Sequence, residues 1–215
     1  MKTAGSNIFA ALLVLACAAG PVWASEPPST AKANDWFDHA YEHVNRGELD
    51  QAIAAYTRAL EMKPTFVQAY INRGLAFTKI GQQSRALEDY GKAIALDTTN
   101  AAARNNRGLL YFTMGQYDNA IEDYTIAIRS RPNDATMYQN RGAAYGKQGN
   151  TARALEDFGR SIANDPKNAG AYNSRGMVHY AAGGLKSAAD DFSNACGMGV
   201  EAACKNLKAI PKNKQ

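Results

Sequence analysis

The chain contains few of the residues that catalysis or metal binding requires. It has three histidines and three cysteines among 215 residues, and no G-x-S-x-G, Walker-type or H-E-x-x-H motif. His39 and His43 lie one helical turn apart, with Asp35 one turn earlier, which is a spacing that can bind a metal. No fourth ligand is visible, so we expect both histidines to be structural. We therefore predict that the protein is not an enzyme and carries no metal or other cofactor.

Long hydrophobic runs are also missing, apart from one near the N-terminus. The apolar segment Ile8–Ala19 is too short for a stable membrane span, and Val22-Trp23-Ala24 after it resembles a signal-cleavage site. We expect residues 1–24 to be a secretory signal, and the protein to be periplasmic or secreted from a bacterium. A retained amphipathic anchor is disfavoured because the segment has no polar face. Lipidation at Cys17 stays open, because the residues before it resemble a lipobox.

Neither sign of charge dominates. The formal net charge is +4, and one of the basic residues, Lys2, lies in the predicted signal. Basic side chains recur beside acidic ones and do not form the dense basic stripe that is typical of nucleic-acid binding. We therefore expect no nucleic-acid partner.

What the chain does contain is a repeat of 34 residues. Two series of glycines, one of alanines and one of aromatic residues recur at this interval. The series are Gly74, Gly108, Gly142 and Gly176; Gly47, Gly81, Gly115, Gly149 and Gly183; Ala52, Ala86, Ala120, Ala154 and Ala188; and Tyr56, Tyr90, Tyr124, Phe158 and Phe192. A fixed period of this length is typical of a solenoid.

At these positions the chain resembles the tetratricopeptide-repeat (TPR) family, whose pattern is W-x2-L-G-x2-Y…A-x3-F…P. The first repeat matches at Trp36, Ala40, Ala52, Tyr56 and Pro64. The resemblance implies an all-α solenoid of helix–turn–helix repeats, in which one glycine series ends the first helices and the other lets the helices approach closely. The predicted segments are a flexible N-terminal segment (25–32), five repeats (33–66, 67–100, 101–134, 135–168 and 169–200), a capping helix (201–210) and a tail (211–215).

Four repeats place an arginine sixteen residues before an aspartate. The pairs are Arg73 and Asp89, Arg107 and Asp123, Arg141 and Asp157, and Arg175 and Asp191. The first repeat has His39 and Ala55 instead, so it lacks both partners together. The correlation predicts structural ion pairs between helices, within a repeat or across neighbouring repeats, because a half-buried guanidinium needs a partner. Two independent surface charges are the alternative.

Two cysteines follow the predicted signal, Cys196 and Cys204, and an even number in an exported chain favours a disulfide. Their C-x7-C spacing resembles that of Sel1-like repeat proteins. This resemblance implies a bridge between the last repeat helix and the capping helix. A redox-active pair is disfavoured because there is no C-x-x-C motif.

The TPR resemblance also implies a partner-binding groove lined by the first helices of the repeats. Its sixth repeat position holds Asn72, Asn106 and Asn140, and a carboxamide can both donate to and accept from a peptide backbone. The full predicted set is Phe37, Tyr41, Ile71, Asn72, Leu75, Lys79, Asn105, Asn106, Leu109, Gln139, Asn140, Lys147 and Asn173. Alternatively, the asparagines cap or pack against neighbouring helices.

Together these features predict a non-catalytic scaffold that binds a protein or peptide partner and does not span a membrane. A self-associating structural scaffold is the second hypothesis. An enzyme or metal site around His39 and His43 is the third. The sequence leaves the oligomeric state and the identity of the partner open.

Overall fold

The structure, a computed structural model, describes residues 30–211. These residues form α1 (Ala33–Asn45), α2 (Leu49–Met62), α3 (Val67–Lys79), α4 (Gln83–Leu96), α5 (Ala101–Thr113), α6 (Tyr117–Ser130), α7 (Ala135–Lys147), α8 (Thr151–Asn164), α9 (Ala169–Ala181), α10 (Leu185–Gly197) and α11 (Glu201–Ala209). The pairs from α1–α2 to α9–α10 form five helical hairpins, which confirms the all-α solenoid. The predicted signal, Cys17 and residues 212–215 lie outside the described residues. None of the helices in residues 30–211 has the length and apolar character needed to cross a membrane.

The turn inside each repeat depends on a glycine with positive φ. After α1, Gly47 adopts φ 77°, and the Glu48 N–H donates to the His43 carbonyl at 2.9 Å. A residue with a Cβ would be strained in this left-handed conformation. Gly81, Gly115, Gly149 and Gly183 repeat the arrangement with φ from 75° to 81°, as the sequence predicts.

The second glycine series brings the two helices of a repeat together. Gly74 on α3 faces the ring of Tyr90, and Gly108 on α5 faces that of Tyr124. A Cβ built at either glycine would lie 2.8 Å from the ring Cε1. The buried rings and the small residues opposite them build a core that extends from one repeat to the next.

Each predicted Arg–Asp pair joins the two helices of one repeat. Arg73 donates from Nε and Nη2 to the two carboxylate oxygens of Asp89, both at 2.8 Å. Burial alone would lower the pKa of Arg73, but the hydrogen bond and charge of Asp89 outweigh it, and the pKa is raised. The same two-pronged geometry occurs in the other three pairs, with distances from 2.7 to 2.8 Å. The ion pairs are therefore confirmed, and they form within repeats.

The side chains of these pairs make further hydrogen bonds, which were not predicted from the sequence. Arg73 Nη1 donates to Thr57 Oγ1 on the preceding helix at 2.9 Å. Arg141 makes the equivalent bond to Thr125 at 3.1 Å. Asp123 also accepts from Arg104 at 3.2 Å. We call these side chains, together with the four Arg–Asp pairs, the seam.

The first repeat uses aromatic contacts where the others use the ion pair. His39 is buried, and its ring centroid lies 6.0 Å from that of Trp36 and 4.5 Å from that of His43. His43 Nδ1 lies 2.5 Å from Glu48 Oε2, and this hydrogen bond lowers the pKa of Glu48. Within residues 30–211, His, Cys, Asp and Glu side chains do not come together in groups of three that could hold a metal.

The C-terminal end of the solenoid is covalently fixed. Cys196 on α10 and Cys204 on α11 form a disulfide with a Cα–Cα distance of 4.8 Å. The predicted pairing between these helices is therefore confirmed. Around it, α11 buries Ala203 against a cluster that contains Phe192 and Ala195.

Candidate functional site

The first helices of successive repeats lie side by side, so their equivalent side chains form rows across the molecule. Asn140 Nδ2 on α7 donates to Asn105 Oδ1 on α5 at 3.0 Å. The Gln139 amide on α7 lies over Gly170 on α9, where an added Cβ would meet its Nε2 at 2.9 Å. These contacts bring α5, α7 and α9 together along one surface. We use the term groove for the surface lined by the first helices of the five repeats, α1, α3, α5, α7 and α9.

An exposed apolar row runs along the groove at the ninth position of the repeats. Its large side chains are Tyr41 (54% exposed), Leu75 (38%), Leu109 (46%) and Met177 (49%), spaced by one or two repeat lengths. The smaller Ala143 takes the remaining place in the fourth repeat. Contiguous exposed apolar side chains are typical of interaction surfaces.

The asparagine row lies beside the apolar row. Asn72, Asn106 and Asn140 each precede a member of the apolar row by three residues, which places both rows on the same side of their helices. All three asparagines are half-buried and reach the surface. The predicted row therefore exists, and its amides are accessible from the groove.

The amides of the row are only partly engaged by the protein. Asn72 Oδ1 accepts from Gln68 at 2.8 Å, and its Nδ2 donates weakly to the Tyr56 hydroxyl at 3.4 Å. Asn140 donates one of its two side-chain N–H groups to Asn105. Within residues 30–211 no hydrogen bond engages the Asn106 side chain. Since a carboxamide has two donor and two acceptor positions, each of these side chains keeps capacity for a further hydrogen bond.

A pocket of about 150 Å³ opens in the groove between α1, α2 and α3. This volume is comparable to an apolar cavity that holds one benzene molecule. The pocket can therefore accept one aliphatic or aromatic side chain. Its lining consists of Tyr41, Val44, Leu49, Tyr56, Asn72, Leu75, Ala76 and Lys79.

Val44 and Leu49 contribute to the apolar lining of the pocket, and neither was predicted from the sequence to lie in the groove. One repeat later, Thr78 stands at the position of Val44, and its hydroxyl lies 3.2 Å from the Tyr90 hydroxyl. In the third repeat Phe112 takes this position and packs against Tyr117, with centroids 5.5 Å apart. Burial raises the pKa of Tyr56 at the pocket wall, although its bond from Asn72 opposes the shift. Its phenol therefore stays protonated and can donate a hydrogen bond at neutral pH.

Two predicted groove residues serve mainly as packing. Ile71 is 2% exposed and lies in a core cluster with Ile94 and Ala103, so the expectation that it faces a partner needs correction. Its position on α3 points between α4 and α5, where an apolar side chain is covered. Phe37 is half-buried and stacks on Phe66, with ring centroids 4.9 Å apart.

The remaining predicted residues lie at the groove with mixed exposure. Lys79 and Lys147 are exposed, while Asn105, Gln139 and Asn173 are half-buried. The Oδ1 atom of Asn173 is buried, and within residues 30–211 it accepts no hydrogen bond. The groove therefore combines apolar side chains and amides with two cations, and the exposed Asp38 holds the sixth position in the first repeat.

Comparisons with known proteins agree with this geometry. The family model for the TPR repeat matches residues 40–81, 74–115 and 110–149, and a tetratricopeptide-repeat model matches residues 140–199. No curated protein matches the sequence significantly.

Solved structures share the same architecture. A crystal structure of MamA is 27% identical, covering 76% of this chain and 96% of MamA with a TM-score of 0.69. YrrB, described as a TPR protein with an unusual peptide-binding site, is 21% identical over 82% of this chain and 92% of its own, with a TM-score of 0.68. PilF of Pseudomonas aeruginosa is also 21% identical, over 78% and 76%, with a TM-score of 0.72. The likenesses to YrrB and PilF bear on the fold alone, but the family models together span most of the chain, which therefore belongs to the tetratricopeptide-repeat family.

Proposed function

We propose that this protein is a non-catalytic scaffold that binds an extended peptide segment of a partner protein in the groove. TPR proteins bind proteins or peptides, and the family is generally non-enzymatic. The observation that carries the proposal is the pairing of two rows on one surface. Exposed apolar side chains recur at the ninth repeat position, and the asparagines recur at the sixth.

Folding alone does not require the apolar row. Leu109 is 46% exposed while the next residue, Leu110, is 2% exposed and belongs to the core. The exposed part of such a leucine contributes nothing to folding, whereas covering it with a partner is favourable. The recurrence of such side chains at one repeat position therefore favours a binding role.

The chemistry of the groove defines the segment that it fits. The pocket beside Tyr41 and Leu75 takes one apolar side chain, and the asparagines hold the peptide backbone without reading its side chains. Lys79 and Lys147 favour acidic side chains in the same segment. YrrB, which has a similar fold, is described as having a peptide-binding site, and this supports the assignment by analogy.

We further propose that the protein works outside the cytoplasm, in the periplasm or as a secreted protein. The support is the N-terminal apolar segment of the sequence and the disulfide, which persists in oxidising compartments.

The proposal can be tested with random peptides of about twelve residues, roughly 40 Å when extended, displayed on phage and selected on the purified protein. A triple variant with Asn72→Ala, Asn106→Ala and Asn140→Ala should bind the selected peptides about a hundredfold more weakly, because three neutral hydrogen bonds are lost. Titration by calorimetry measures the affinity, and circular dichroism checks that helicity is unchanged.

A matched control replaces three exposed asparagines that lie away from both rows, Asn119, Asn133 and Asn164, by alanine. This variant should bind as the original does. If the triple asparagine variant of the groove binds the selected peptides as tightly as the original protein, the groove is not the binding surface.

Self-association is the alternative, and a second set of exposed apolar side chains favours it. Met62, Leu96 and Met198 are also large, exposed and spaced by multiples of the repeat length. Sedimentation at several protein concentrations separates the two functions, because a particle that stays monomeric excludes a self-assembling scaffold.

A further inference from the structure

The C-terminal helix α11 has the register of a first helix of a sixth repeat. It starts 32 residues after α9, and with this offset its buried Ala203 corresponds to Ala171. Ala69 and Ala103 occupy the same buried place in the second and third repeats. The offset also aligns Asn206 with Ser174, at the sixth position that the asparagine row occupies.

Two differences explain why α11 starts two residues early: α10 has 13 residues where the other second helices have 14, and the turn after it is one residue shorter than the other connections between repeats. The other second helices end in extended residues, such as Asp97 and Asp165. By contrast, α10 ends at Gly197, Gly199 in the turn after it adopts φ 93°, and the Val200 N–H donates to the Ala195 carbonyl at 3.0 Å. This is the three-residue turn that joins helices within a repeat, and it is shorter than the connection between repeats.

The disulfide stands where other repeats have an apolar contact between neighbouring repeats. Cys196 occupies the position of Leu60 in the first repeat, and with the two-residue offset Cys204 occupies that of Tyr70. Leu60 and Tyr70 belong to one core cluster. The bridge therefore holds α11 in the place of a next-repeat helix.

A contact to the apolar row places Asn206 at the groove. Asn206 Nδ2 lies 3.4 Å from Sδ of Met177, a member of that row on α9. The pocket between α1, α2 and α3 shows the same arrangement, because Asn72 lies there beside Tyr41, the member of the apolar row in the preceding repeat. The neighbouring Lys205 is exposed at the position of Asn173, so it adds one cation to this end of the groove.

We propose that α11 is a partner-binding wall of the groove, beyond its role as a cap. Asn206 extends the asparagine row and holds the backbone of the bound peptide, while Lys205 receives an acidic side chain at that end of the segment. Cys196–Cys204 is a positioning element that fixes α11 in this register. The inference rests on the proposed function, and it adds a sixth helix and an acidic requirement to it.

Site-specific photo-crosslinking with the phage-selected peptides tests the inference. A benzophenone side chain is placed, one variant at a time, at Asn106, Asn206 or Lys208. Lys208 is the control because it lies on the same helix, about 200° around it from Asn206. Peptide should crosslink from positions 106 and 206, and not from position 208.

The outcomes separate the two proposals. Crosslinking from 106 without 206, or equally from 206 and 208, would overturn the role of α11 and leave the groove intact. No crosslinking from either 106 or 206 would overturn both.

Affinity provides a second measurement. Asn206→Ala should lower the affinity for the selected peptides about fivefold. Lys205→Glu should lower the affinity for acidic peptides more than that for neutral ones. The double change Cys196→Ser and Cys204→Ser should reproduce the loss caused by Asn206→Ala, with exchange of amide hydrogens faster in α11 than in α9. An unchanged affinity in the cysteine variant would contradict the positioning role of the bridge.

Discussion

The two sides of the first helices differ in how much they vary from repeat to repeat. On the seam side, four repeats carry the same Arg–Asp pair with donor–acceptor distances within 0.1 Å of each other. On the groove side, the ninth position changes from Tyr41 through Leu75 and Leu109 to Ala143 and Met177. The uniform side satisfies a requirement that four of the five repeats share, while the side chains of the variable side change between repeats.

The difference follows from burial. Asp123 is 2% exposed, so its charge must be compensated at its own position in the fold. Leu109 is largely exposed and has no such requirement. A position that is free of folding constraints can serve recognition. The asparagine row lies between these two cases, because its side chains are half-buried and keep donors and acceptors that make no hydrogen bond within the part of the chain that the structure describes.

The largest expected effect is on the seam. Asp123→Ala removes the acceptor of both Arg107 and Arg104, whose side chains are 23% and 13% exposed. Leaving two partly buried cations unpaired should lower the free energy of unfolding by about 3–5 kcal/mol, measured by chemical denaturation. Glu122→Ala, at the exposed neighbouring position, should change it by less than about 0.5 kcal/mol. Similar values for the two variants would contradict the distinction between the two sides.

A smaller effect is expected where the seam crosses between repeats. Thr57→Val keeps the shape of the side chain but removes the hydroxyl that accepts from Arg73 Nη1. The loss should be about 1–2 kcal/mol in the free energy of unfolding, since Arg73 keeps its bonds to Asp89. Thr57→Ser retains the hydroxyl and serves as the matched control. If serine and valine destabilise equally, the contact is not part of the seam.

The smallest effect on stability is expected in the groove. Leu109→Ser should change the free energy of unfolding by about 0.5 kcal/mol or less, because the side chain is already exposed. The adjacent Leu110→Ser removes a buried side chain and should cost at least about 2–5 kcal/mol. Thermal unfolding of the two variants compares neighbouring leucines that lie about 100° apart around α5. A large loss for Leu109→Ser would mean that the apolar row is part of the core.

Much of the fold could be predicted from the sequence because the repeat supplies each structural requirement several times. Gly81 and its equivalents predict the turn, Gly74 and its equivalents predict the close approach of the helices, and the sixteen-residue spacing predicts the Arg–Asp pairs. Whether these pairs form within or across repeats could not be predicted, since either arrangement satisfies the spacing. The structure shows that Thr57 and Thr125 supply the link across repeats. The two threonines are two repeat lengths apart, and Gly91 and Gly159 hold the same position one repeat after each of them. This alternation was a signal that could have revealed the link.

The candidate site was predicted less completely, because a repeat position does not fix the exposure of its side chain. Ile71 and Asn105 share the fifth position, yet the isoleucine is buried and the asparagine is half-buried. The pocket is lined in part by Val44 and Leu49, where the next repeat has the polar Thr78 and Gln83. The alignment of Asn206 with the sixth position, on which its proposed role rests, was hidden by the two-residue shortening before α11, which breaks the 34-residue phase.

The most direct test of the groove compares amide hydrogen exchange of the protein with and without a selected peptide. If the two rows form the binding surface, bound peptide should slow exchange in α3, α5 and α7 and leave the exposed outer residues of α4, α6 and α8 unchanged. Protection confined to the second helices, with the first helices exchanging as in the free protein, would contradict the assignment of the groove as the partner-binding surface.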